Sequence, residues 1–98
     1  MSWNLQKINN GGNTDGPAAV QTPYASVFNS QQHLGYRDGT GNIWDSWYDP
    51  QGGNWKLQKI NNGGNTKGPS AVEGPFIGVY RGQQHFAYID NAGSLWDS

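Results

Sequence analysis

The sequence predicts an all-β fold made of two β-propeller blades, each of four antiparallel strands. Three observations carry that expectation. Residues 3–46 align without a gap on residues 55–98, a displacement of 52 places, and 26 of the 44 paired positions are identical. A period of this size marks repeat architectures whose unit cannot bury its own apolar face and must stack on a neighbour. Each copy also breaks into short β-prone runs separated by Gly, Asn and Pro, and four short strands in roughly 50 residues is the size of a propeller blade. Finally, no stretch keeps a helical apolar period over about 11 positions.

The elements follow in order. The first expected strand is Trp3–Ile8, stopped by Asn9-Asn10-Gly11-Gly12, residue types that accept positive φ. After Gly16-Pro17, Ala18–Val20 and then Tyr24–Phe28 read as extended, with Val27 and Phe28 adding β-propensity. A third strand spans Gln32–Arg37, Asp38-Gly39-Thr40-Gly41-Asn42 forms a hairpin loop, and Ile43–Tyr48 is the fourth strand. The second copy repeats the scheme with Gly82 and Ala92-Gly93 at its turns. By this reading residues 1–46 form one blade, 47–54 a link and 55–98 the second blade.

Composition agrees with a turn-rich β protein. Only 34% of the 98 residues are hydrophobic, mean hydropathy is −0.81, and 13% are aromatic. Five Trp and five Tyr can each bury large areas while keeping a polar tip, and a net charge of −1 argues against charge-driven disorder. Six basic residues against seven acidic ones, scattered singly, give no footprint for nucleic acid. No apolar stretch approaches the roughly 20 residues that span a bilayer, so no membrane insertion is expected. No signal peptide is visible at Met1-Ser2-Trp3-Asn4. Without cysteine there is neither a disulfide framework nor a thiolate metal site, and the compartment stays open.

A two-blade monomer would leave a flat face at each end. Copies of the chain are therefore expected to close a ring, three copies with six blades ahead of four copies with eight. The second copy stops at Ser98 where the link would start, so Trp3 of another chain could stand where Trp55 stands within the chain. A two-sheet sandwich, or a piece of a longer protein, is the alternative.

The run His33-Leu34-Gly35-Tyr36-Arg37-Asp38-Gly39-Thr40-Gly41-Asn42-Ile43-Trp44-Asp45, followed by Trp47-Tyr48-Asp49 and Trp55, resembles the fucose-specific lectin superfamily of six-bladed β-propellers. A second group of propeller lectins, with a Gly-Gly…Gly-Pro segment, resembles it as well. The likeness covers both repeats, and the family includes two-repeat chains that trimerise. It implies a carbohydrate ligand, fucose or a related monosaccharide, held between neighbouring blades by an Arg and a Glu of one blade and aromatics of the next. Carried over by position, the Arg place falls on His33 and His85 and the Glu place on Asp45 and Asp97. The aromatics fall on Tyr48 and Trp55, and on Trp3 at the joint between chains. Here the chain departs from the pattern: imidazole lacks the planar five-donor fork of guanidinium, and Asp reaches less far than Glu. If the hairpin loop spans Asp38–Asn42, then His33, Gly35, Asp45 and Trp47 share one face.

Each of these residues also has a plainer reading. His33 and His85 can hydrogen-bond to turn backbone, Asp45 and Asp97 can cap turns, and Trp44 and Trp96 read as core. No enzyme activity is expected: no nucleophile motif accompanies the His and Asp residues, and Asp38…Gly41…Trp44 misses the spacing of the sialidase box. Neither a metal site nor any cofactor is expected. The second functional reading is a non-catalytic self-assembling scaffold or protein-interaction module, natural or engineered, since high identity between copies suits recent duplication or design.

Overall fold

Residues 5–98 are described by a computed structural model of the chain. It is all-β, with seven strands in two antiparallel sheets and no helix among the described residues. Strands β1 (Tyr24–Phe28), β2 (Gln31–Arg37), β3 (Ile43–Asp49) and β4 (Asn54–Lys59) form the first sheet in sequential order. Strands β5 (Ala71–Tyr80), β6 (Gln83–Asp90) and β7 (Leu95–Asp97) form the second.

The sheets are out of step with the sequence repeats by one strand. Residues 54–59 open the second repeat, yet they pair with β3 of the first, with Tyr48 opposite Trp55 and Asp45 opposite Gln58. Segment 47–54, expected as a link, is thus the tip of the β3–β4 hairpin, closed by Gly53 N–H donating to the Asp49 carbonyl at 2.8 Å. The strand expected at the head of each repeat consequently forms in one copy only. Residues 5–8 make no ladder, because a strand exists only against a partner edge and they find none among the described residues; Trp3 lies outside those residues. The expected strand at Ala18–Val20 is a single bridge from Ala19 to Asp38. Its counterpart runs on into β5 through register shifts between Ala71 and Phe76, where Gly74 adopts φ 106°. Thr22 stands at that place in the first copy, and a β-branched residue resists this conformation.

Turn chemistry behaves as the residue types dictate. Asn10 and Gly11 have φ of 53° and 81°, Asn62 and Gly63 of 51° and 85°. Both turns are closed by a 2.9 Å bond from the N–H of Gly12 or Gly64 to the carbonyl of Asn9 or Asn61. The core lies between the sheets: Ile43 and Ile60 from one side meet Ala71, Phe86 and Tyr88 from the other, with Ile77 packed against them. Gly35 lets β5 come close, since a Cβ there would lie 2.6 Å from Ile77 Cδ1. Asn61, fully buried, binds the two repeats: its Oδ1 accepts from Ile43 N–H at 2.8 Å and its Nδ2 donates to the carbonyls of Gly41 and Pro69 at 3.0 and 2.9 Å.

The β2–β3 loop is held by one carboxylate. Asp38 accepts from Thr40 N–H, Thr40 Oγ1–H and Asn42 N–H at its Oδ1, and from Asn42 Nδ2 and the Trp44 indole at its Oδ2, all within 2.8–3.0 Å. Burial alone would raise this carboxyl, but the indole, amide and backbone donors prevail and hold it at about 2, against an ordinary 3.8. A depressed folded-state value means stabilisation that is complete above the ordinary value and fades as pH falls through about 2. Asp38→Asn is therefore expected to cost roughly 2 kcal/mol at neutral pH, with the two proteins converging in stability between about pH 4 and pH 2. Urea titrations across that window are the check, and parallel curves for both proteins would contradict it.

Candidate functional site

Four of the sequence-predicted residues fall into two clusters on opposite faces of the first sheet, His33 with Asp45 and Tyr48 with Trp55. Cross-strand partners share a face and neighbours along a strand do not, so the register settles the matter. His33 stands opposite Trp47, and Gly35 opposite Asp45. These four share the face turned to the second sheet, as the hairpin loop at Asp38–Asn42 requires. Tyr48 stands opposite Trp55 on the other face.

On the inner face His33 Nδ1 lies 2.9 and 3.1 Å from the two carboxylate oxygens of Asp45. Gln58 Nε2 from β4 donates to Asp45 Oδ2 at 3.0 Å, and the Trp47 indole stacks on the imidazole at 5.0 Å with an interplanar angle of 22°. His33 is 4% exposed and Asp45 fully buried. Burial pushes the Asp45 carboxyl up, while the His33 and Gln58 hydrogen bonds pull the other way. The pair therefore sits in a site closed to solvent. The space above Gly35, which in the strand alone would be open, holds Ile77. Trp44, expected in the core, instead clips the loop through its indole N–H, and Trp96 does the same to Asp90 at 2.9 Å.

The second copy builds the same pair in a different setting. His85 Nδ1 lies 3.1 Å from both Asp97 carboxylate oxygens, but the side chains are 33% and 60% exposed. Two differences account for this. No strand covers β7 as β4 covers β3, and His85 has no stacked indole corresponding to Trp47 among the described residues.

The outer-face aromatics line a cleft of about 420 Å³, and their rings meet edge to face at 5.9 Å. The cleft is completed by Gln6, Ser30, Gln31, Gln32 and Pro50. Apolar ring faces thus stand beside carboxamides and a hydroxyl, with no charged side chain among the described lining residues. Such a surface can pack against C–H groups while exchanging hydrogen bonds with hydroxyls. The glutamines were not singled out by the sequence reading. The signal for them was present, because Gln6 and Gln31-Gln32 recur as Gln58 and Gln83-Gln84. Of the seven sequence-predicted residues Trp3 lies outside the described residues; among the other six the structure joins His33 to Asp45, His85 to Asp97 and Tyr48 to Trp55, and it keeps the three pairs apart.

Among the described residues no three His, Asp or Glu side chains gather as a metal site would require. Comparison of the chain with protein-family models, curated proteins and solved structures gave no match.

Removing one member of a buried pair leaves the other without its partner. Asp45→Ala is expected to destabilise the chain by about 3 kcal/mol. Asp97→Ala should cost less than about 1 kcal/mol in the dissociated chain, since exposed pairs contribute little. Denaturation of both variants at high dilution checks the contrast, and equal losses would contradict it.

Proposed function

We propose that the chain is a multivalent carbohydrate-binding lectin. Its two sheets serve as blades of a β-propeller ring that several copies complete, three copies being favoured over four. The observation that carries the reading is the Tyr48–Trp55 pair set among Gln6, Ser30, Gln31 and Gln32 in a cleft of about 420 Å³. A monosaccharide presents a C–H face that stacks on indole or phenol, and hydroxyls that carboxamides serve as both donor and acceptor. The uncharged lining suits a neutral sugar, fucose or a related monosaccharide. A single cleft of this kind binds weakly, and repetition around a ring supplies avidity through effective concentration.

The proposal sets the ligand against the outer-face aromatics, with His33 and Asp45 acting as a buried brace behind them. Trp3 is the sequence counterpart of Trp55, but Tyr48 and residues 47–54 occur once per chain, so a site completed by Tyr48 and Trp55 and one completed by Trp3 of a neighbouring copy are inequivalent. The competing reading, a non-catalytic self-assembling scaffold, draws on the 26 identities between copies. A dense glycan array separates the two readings: binding to a defined set of neutral glycans supports the lectin, and silence across the array with an intact assembly favours the scaffold.

Calorimetry with a sugar identified on the array locates the site. Trp55→Ala is expected to weaken binding by about tenfold or more, the equivalent of roughly 1.4 kcal/mol. Asp45→Asn should leave affinity unchanged while lowering stability. Loss of affinity in Asp45→Asn with none in Trp55→Ala would move the ligand to the inner face and overturn the assignment.

A further inference from the structure

Among the described residues the outer edge of β7 is open and residues 5–8 are unpaired, and the two are halves of a joint that the molecule already shows assembled once. Within the chain β4 covers β3 with Ser46 opposite Leu57, Asp45 opposite Gln58 and Trp44 opposite Lys59. Residues 5–14 repeat residues 57–66 without a difference, and Trp96-Asp97-Ser98 repeats Trp44-Asp45-Ser46. We propose that residues 5–8 of a second copy add to β7 as its outer strand. The register sets Leu5 opposite Ser98, Gln6 opposite Asp97 and Lys7 opposite Trp96, and the Gln6 carboxamide completes the His85–Asp97 site. The inference rests on the ring reading given above and specifies which segments meet.

The incoming segment is already shaped for the role. Asn13 and Thr14 donate their N–H groups to the carbonyls of Lys7 and Ile8 at 2.8 Å, as Asn65 and Thr66 do to Lys59 and Ile60. Asn13 Nδ2 donates to Gln6 Oε1 at 2.9 Å, matching Asn65 on Gln58. That orients the Gln6 amide as Gln58 is oriented, and Gln58 uses its Nε2 to reach Asp45. Asn9 keeps only one of the three bonds made by Asn61, the one to the Pro17 carbonyl at 3.0 Å. The two groups it lacks correspond to Gly93 C=O and Leu95 N–H, which a second copy would bring.

The apolar halves match as well. Ile60, Ala71, Phe86 and Tyr88 pack around Ile43, which is fully buried. Their counterparts Ile8, Ala19, Leu34 and Tyr36 line an open groove of about 310 Å³. Leu95, the counterpart of Ile43, projects with 76% of its surface exposed. A second copy seated with its Leu95 in this groove would bury both. Because the two surfaces are different patches of one chain, the contact is head-to-tail and closes into a ring when the rotation per copy permits.

The chain has no native cysteine, so cross-linking reads the register directly. Leu5→Cys/Ser98→Cys, mildly oxidised, should give disulfides between chains, with a ladder of covalent multimers on a non-reducing gel. Either single variant should give dimers at most. Leu95→Lys changes an exposed side chain in the lone chain, so the fold survives by circular dichroism. It should raise the dissociation concentration in analytical ultracentrifugation at least tenfold. A parent that forms a ring while the double variant fails to ladder and Leu95→Lys stays assembled would overturn this joint and leave the ring standing. A parent that is a single chain throughout the concentration series, or a disulfide formed within one chain, would overturn the joint; the single chain would overturn the ring reading with it.

Discussion

The rest of the structure depends on β4 lying against β3. That contact takes the first strand of the second repeat and makes it the outer strand of the first sheet, so the first sheet draws on both repeats. It brings Asn61 to the point where three backbone groups from two loops converge. Inside a protein such groups are costly unless paired, and Asn61 pairs them all. Ile60 follows β4 into the core and Gln58 reaches Asp45, so core, brace and loop anchors come from one strand placement. The outer cleft depends on it equally, because Tyr48 and Trp55 meet only as cross-strand partners.

Three carboxylates on this scaffold show how local wiring decides what an Asp does. Asp38 gathers donors from its own loop and from the Trp44 indole, and its charge is held despite burial. Asp90 repeats that wiring at the surface, where the Trp96 indole is the foremost donor. Asp45 is fully buried, so its charge is disfavoured, although the His33 and Gln58 hydrogen bonds pull the other way. Asp38 and Asp90 serve a tight loop; Asp45 braces the packing of the sheets.

Much of this was legible in the residues. The hairpin of β2 and β3 follows from Asp38-Gly39-Thr40-Gly41-Asn42, and its loop length sets the shared face of His33, Gly35, Asp45 and Trp47. The Asn-Gly turns follow from tolerance of positive φ. Residues 47–54 misled because identity between copies marks what was duplicated and carries no information on which edge a strand pairs with. Nothing local reveals that Ile77 fills the space above Gly35, since the two meet only through packing of the sheets. Gln31 and Gln32 were hidden by their ordinary chemistry. A glutamine becomes informative only once an aromatic pair is known to stand beside it.

The identity of residues 5–8 with residues 57–60 has a consequence for folding. Two segments of the same sequence, residues 57–60 and residues 5–8, are candidates for the edge of β3, and every other copy of the chain offers both again. The Pro50–Gly53 turn settles the competition by tethering β4 to its partner, giving it an effective concentration on the order of millimolar. Foreign copies do not approach that in dilute solution. During crowded synthesis, a chain whose hairpin closes late is open to the wrong strand. Mispaired chains would then link in runs rather than rings, and the closing rate of one small turn would govern how much well-formed protein is made.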